Sequence, residues 1–148
     1  MKKVLILEDD AKTASALAIR LRAAGYIALT AVDPAFGVML AVTHRPDLII
    51  SDIWMPVTQG FTFVRQMQSL GVGRVPVIFI TASQQGGLWE TAMSLGAAGY
   101  FEKPYDSQHL LARVKEILND PASGNGPAEL DGRQSLTEDS ENSLSDLT

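Results

Sequence analysis

The chain has 148 residues, 46% of them hydrophobic, and no cysteine, which suits one domain with one core plus a tail and excludes disulfides and thiolate metal sites. Its net charge of -5 is uneven: from Asp120 onward seven acids stand against Arg133 alone, a balance of -6 that leaves +1 for residues 1–119. A near-neutral domain without a basic stripe or a helix-turn-helix pattern argues against direct nucleic-acid binding. No window approaches the roughly 20 apolar residues of a membrane span, and the apolar run at Met1–Leu7 is cut short by Glu8, Asp9 and Asp10, so neither membrane insertion nor a secretory leader is expected. The expected location is cytoplasmic.

Lys3 to Glu8 is a short apolar strand pattern that runs into three acids, and Ala14, Leu17, Ala18 and Leu21 then recur at helical spacing up to Gly25. Tyr26 to Val32 reads as a second strand. Asp33-Pro34 starts a second helix, with the acid as N-cap and proline at the first helical position, ending near His44. Leu48 to Ser51 is a third strand, a continuous apolar run of the kind covered by helices on both faces, and Asp52 follows at its end. The helix after Gly60 is predicted to turn Phe61, Val64, Met67 and Leu70 toward the core.

Pro76 to Thr81 is a fourth buried strand that ends in a hydroxyl as the third ends in a carboxylate. A helix over Gly87–Leu95 follows, with Leu88, Ala92 and Leu95 on one face, and then a short strand, Gly99–Glu102, before Lys103-Pro104. Asp106 caps the last helix, whose Leu110, Val114, Ile117 and Leu118 form its apolar face. Five strands alternating with five helices predict an α/β fold, a doubly wound parallel sheet with right-handed crossovers. After Asn119 the composition turns to Ser, Gly, Pro and acids, with isolated leucines on no helical face, so residues 120–148 are expected to be a disordered acidic tail and not an output domain.

In such a sheet the carboxyl ends of the strands share one edge, where ligands bind. Glu8, Asp9, Asp52, Thr81 and Lys103 all fall there. Each alone has an ordinary structural explanation, as a helix cap or a surface ion pair. Jointly, three carboxylates crowded on one edge repel each other unless a cation joins them, and Mg²⁺ takes carboxylate and carbonyl oxygens. With a hydroxyl and a lysine beside them, they form a parts list for phosphoryl transfer to a carboxylate.

The sequence over residues 2 to about 119 resembles the receiver domain of two-component response regulators, in Glu8-Asp9-Asp10 after the first strand, Asp52-Ile-Trp-Met-Pro56 with Gly60 beyond, Thr81-Ala82, and Gly99-Tyr-Phe-Glu-Lys103-Pro104. The resemblance implies a flavodoxin-like sheet of order 2-1-3-4-5 and a cis Lys103-Pro104 bond. It further implies Asp52 as phosphoacceptor, Mg²⁺ held by Glu8, Asp9, Asp52 and the main-chain carbonyl of Trp54, and Thr81 and Lys103 on the phosphoryl group. The donor would be a histidine kinase or a histidine phosphotransfer protein. The chain would catalyse only its own phosphorylation and dephosphorylation, with Trp54 and Ser83 flanking the path of attacking water.

The resemblance also implies a two-state switch in which Thr81 follows the phosphoryl group and Tyr100 turns inward, altering the surface of the fourth helix, fifth strand and fifth helix. Trp89, Met93 and Tyr100 are the expected contacts for a downstream protein target, in a monomer or a weak phosphorylation-dependent dimer. Three alternatives stand beside this reading. A haloacid-dehalogenase-like phosphohydrolase fits poorly because Glu8 occupies its nucleophile position. A degenerate receiver would lack an essential residue, and a nucleotide or flavin binder would need a Gly-rich turn after the first strand.

Overall fold

The computed structural model describes residues 1–53, 58–71, 74–82 and 86–119. In chain order the elements are β1 (Lys3–Leu7), α1 (Ala11–Ala23), β2 (Ile27–Ala31), α2 (Pro34–His44), β3 (Leu48–Ile53), α3 (Thr58–Ser69), β4 (Val77–Thr81), α4 (Leu88–Ser94), β5 (Gly99–Glu102) and α5 (Ser107–Asn119). All strand pairs are parallel, as the alternation of strands and helices predicts, and the sheet order is β2-β1-β3-β4-β5, as the resemblance implies. The expected tail, residues 120–148, lies outside the described residues.

Alternation along each strand divides the core in two. Val4, Ile6, Leu48, Ile50, Ile78 and Ile80 face α1 and α5, where Leu17, Leu21, Leu110 and Val114 complete one cluster. Leu5, Leu7, Ile49, Ile53, Val77 and Phe79 face the other way, against Phe61, Phe63, Val64 and Met67 of α3 and Leu88 and Ala92 of α4. Short acidic side chains cap the starts of α1, α2 and α5. Asp10 accepts from the Lys12 amide at 3.2 Å, and Asp33 accepts from the Phe36 amide at 2.8 Å with Pro34 in the first turn of α2.

Three sequence expectations are corrected. β3 continues through Asp52 to Ile53, because its ladder with β4 pairs Asp52 with Ile80 and Ile53 with Thr81. α3 begins at Thr58, so Gly60 lies in its first turn, where orphan amides make glycine less costly than in a helix interior. Leu70 is 58% exposed: it follows the last helical residue, and the fully buried Phe63 fills the core instead.

Parallel strands also sort the charges. Glu8, Asp9, Asp10, Asp33, Asp52 and Asp106 gather at the carboxyl edge of the sheet, whereas Lys2, Lys3, Arg22, Arg45, Arg74 and Lys115 lie toward the amino edge.

Gly37 sets how closely α2 lies on the sheet. A Cβ there would stand 3.0 Å from the Phe63 ring and 3.2 Å from Leu7, both fully buried and unable to retreat. Gly37→Ala is therefore expected to destabilise the domain by about 1–2 kcal/mol, the overpacking cost of ~1–3 kcal/mol outweighing a helix-propensity gain of up to ~1 kcal/mol. Urea unfolding of the two proteins measures the difference, and a stabilised variant would show that α2 can lift without cost.

Candidate functional site

Strand alternation explains which side chains meet at the carboxyl edge. Glu8 continues the row of Ile6, Asp52 that of Ile50, and Lys103 that of Phe101, all on the α1/α5 side. The ladder persists past the strand ends, with the Glu8 amide bonded to the Ala31 carbonyl at 3.0 Å and the Lys103 amide to the Thr81 carbonyl at 2.8 Å. Three short rows thus converge on one spot. The Lys103-Pro104 peptide is cis, as expected.

Lys103 Nζ lies 3.0 Å from Glu8 Oε1 and 3.0 Å from Asp52 Oδ2, an ammonium shared by two almost wholly buried carboxylates. Asp9 completes the cluster: Glu8, Asp9 and Asp52 each offer an oxygen within 4.8 Å of the others. Burial, then Asp52 beside it, raises the Glu8 carboxyl above the ordinary glutamate range, against the opposing pull of Lys103 and the Asp10 amide. Asp9 is raised by burial and by Glu8. For Lys103, burial works against the charge, but both carboxylates more than reverse it and its pKa stands above the usual lysine value. Such an all-oxygen, anionic donor set on one edge suits a hard divalent cation.

The Asp10 carboxylate takes no part in the cluster, although its amide donates to Glu8 Oε2 at 3.1 Å. It caps α1, also accepting from Thr13 Oγ1 at 2.7 Å, and these bonds lower its pKa. Trp54 and Ser83, named for a ligand carbonyl and for water access, lie outside the described residues.

Thr81 and Tyr100, the two residues expected to switch, sit on the opposite face of the sheet. Thr81 continues the row of Phe79, is fully buried, and its Oγ1 donates to the Ile53 carbonyl at 3.1 Å, one residue past Asp52. Tyr100 pairs in register with Phe79 and is partly buried against the cluster that holds Leu88 and Ala92. Burial, then Glu102 and Glu90, keeps its phenol protonated far above the ordinary tyrosine value. Trp89 is 49% exposed on α4, whereas Met93 is turned further in and packs against the same cluster as Tyr100. Tyr105 is a residue that sequence reasoning missed. It borders the hollow under Glu8 and Asp52 with Thr13, and its ring meets Phe101 edge-on at 6.4 Å. An aromatic two positions after Lys103 was the available signal.

Residues 4–115 match the family model of the response regulator receiver domain. The chain belongs to that family. This receiver is 35% identical over 119 residues to the DNA-binding dual master transcriptional regulator RpaA of Synechocystis, covering 80% of this chain and 49% of that protein. It is 38% identical over 116 residues to the probable transcriptional regulatory protein SilR of Salmonella typhimurium, covering 78% of this chain and 50% of that protein. The chain spans about half the length of these curated relatives. Among solved structures, the chemotaxis protein CheY4 of Vibrio cholerae matches with a TM-score of 0.72 at 30% identity, over 80% of this receiver and 99% of that chain. The family places the chain in two-component signalling, and the acidic cluster is consistent with a receiver Mg²⁺ site.

Removing the shared ammonium exposes the carboxylates to each other. Breaking a fully buried pair costs ~3–5 kcal/mol, and the 25% exposure of the Lys103 side chain reduces the expected loss for Lys103→Met to about 1–3 kcal/mol at pH 7 in EDTA. Glu8 already has a raised pKa, so its ionisation opposes folding, and without Lys103 more so. Loss of Lys103 raises the Glu8 pKa further, so the deficit should be full above the variant's Glu8 pKa and close as pH falls through it to the wild-type one. A deficit independent of pH would assign the loss to packing of the lysine stem.

Proposed function

We propose that this receiver accepts a phosphoryl group on Asp52 from the phosphohistidine of a histidine kinase or a histidine phosphotransfer protein. The observation that supports it best is the Lys103 ammonium held 3.0 Å from both Glu8 and Asp52 at the carboxyl edge. In the transfer, the phosphorus–nitrogen bond to the donor imidazole breaks as a bond from phosphorus to an Asp52 carboxylate oxygen forms, and the imidazole leaves with the electron pair. Glu8, Asp9 and Asp52 are the residues to hold Mg²⁺, which when bound neutralises charge on the carboxylates and the phosphoryl oxygens. Lys103, tethered by Glu8, stays within reach of the charge that builds on those oxygens. The chain acts on itself alone and turns over no other substrate.

The consequence of phosphorylation is a change of hydrogen-bond partner for Thr81. Its hydroxyl now donates to the Ile53 carbonyl, and the new anionic oxygens beside Asp52 compete for it. Movement of Thr81 loosens the packing under α4, where Tyr100 turns inward, and the α4-β5-α5 surface around Trp89, Met93 and Tyr100 is thereby remade for a downstream protein. Output through a protein contact in the cytoplasm is favoured over direct nucleic-acid binding by the near-neutral charge of residues 1–119.

Treatment with acetyl phosphate and Mg²⁺ followed by intact-mass measurement is expected to add one phosphoryl group to the wild type, and none to Asp52→Asn or in EDTA. Equal labelling of Asp52→Asn would overturn the assignment. Within the same assay, Thr81→Ala should still be labelled but lose the change in Trp fluorescence or partner binding that follows labelling.

A further inference from the structure

The chain leaves the folded domain at the edge that carries its bases. α5 follows β5 and runs back against the strand direction, from Ser107 near the carboxyl edge to Asn119, and Ile117 and Leu118 belong to the cluster that holds Tyr26 and Leu48, which lie where β2 and β3 begin. On this amino edge Lys2, Lys3, Arg22, Arg45, Arg74 and Lys115 stand against Asp47, while Arg113 and Glu116 pair with each other at 3.1 Å. That leaves a balance of +5, without Arg20 one turn further up α1. All six bases except Lys3 are exposed. The five helices all end here, and even about half a negative charge at each C-terminus would leave the edge positive.

The sequence that continues from this point has the opposite sign. Residues 121–128 carry no charge, and Glu129, Asp131, Glu138, Asp139, Glu141 and Asp146 then stand against Arg133 alone. We propose that residues 129–146 lie across the amino edge of their own domain, acids against bases. The length of the connection agrees with this. Glu129 is ten residues and Glu141 twenty-two residues beyond Asn119, and coil statistics give such lengths a reach of roughly 17–27 Å, enough to cover the edge of a domain with a radius of gyration of about 13–14 Å. Exposed ion pairs are individually weak, but attachment through so short a connection sets an effective concentration on the order of millimolar, and several pairs act together. The carboxyl edge, where Glu8, Asp9, Asp10, Asp52 and Asp106 gather, repels the same segment. The acidic stretch therefore leaves the phosphoacceptor edge open and covers the bases, so that another anion reaches them only by displacing it. This contact is independent of the phosphoacceptor reading and of the α4-β5-α5 surface.

The chain has no cysteine, so Ser140→Cys in the full chain takes a single nitroxide label between Asp139 and Glu141. At low ionic strength the label is expected to broaden the amide resonances of Lys3, Arg45 and Arg74 more than those of Asp10, Asp33 and Asp106 on the opposite edge. Tethering near the amino edge would by itself give an excess that charge does not alter. The excess should instead fall in about 1 M salt, where the Debye length is ~3 Å, and fall again at low salt when Glu138→Gln, Asp139→Asn and Glu141→Gln are added to the labelled chain. These substitutions all lie beyond α5 and should leave labelling by acetyl phosphate unchanged. In an equal mixture of spin-labelled chain and isotopically enriched unlabelled chain, the enriched chain should show no broadening, because the contact is made within one molecule. Equal broadening at both edges, an excess undiminished by neutralising the three acids, or broadening passed to the enriched chain in the mixture would each overturn the proposal.

Discussion

One ammonium between two buried carboxylates holds the carboxyl edge of this sheet together. Glu8 and Asp52 belong to β1 and β3, which are neighbours, and Lys103 follows β5, which is two strands away from β3. The lysine therefore ties the far side of the sheet to its centre by charge, at the place where main-chain ladders end. Without a cation at that point two desolvated anions would face each other across adjacent strands and destabilise the edge. A divalent ion and the lysine would answer the same electrostatic need.

The sheet also separates two tasks by the side to which a strand residue points. Side chains in the Ile6, Ile50 and Phe101 rows deliver the charged cluster, and the row of Phe79 delivers Thr81 on the other face, against the elements that carry Tyr100 and Trp89. The hydrogen bond from Thr81 to the Ile53 carbonyl is the physical link between them, since Ile53 is the residue after Asp52. In the proposed switch a change at Asp52 would reach Ile53 one residue along the same strand, and Thr81 would carry it to α4.

Strand and helix count and the charged cluster were legible in the sequence because they rest on strong local signals, apolar runs that end in acids, Asp33-Pro34 and Lys103-Pro104, whereas the strand order came only with the family resemblance. The extent of β3 was not, because only pairing with β4 shows that Asp52 and Ile53 remain in the ladder. Leu70 fitted the helical spacing of α3, yet helix termination at Ser69 put it in solvent, and no periodicity reports where a helix stops. The inward tilt of Met93 and the position of Tyr105 depend on tertiary packing that spacing alone does not encode.

The sorting of charge along the strands gives the described domain a direction in space. An excess of acids at the carboxyl edge, despite Lys12 and Lys103, and of bases at the amino edge, despite Asp47, makes it an electric dipole of nearly zero net charge, so another molecule's field turns it without strongly attracting it. A cation or a cationic surface meets the carboxyl edge first, and an anionic one meets the amino edge, before any side chain is in contact. Dissolved salt shortens the reach of this orientation to about 8 Å at physiological ionic strength. Encounter rates with charged partners should then depend on ionic strength in a way that the net charge alone would not foretell.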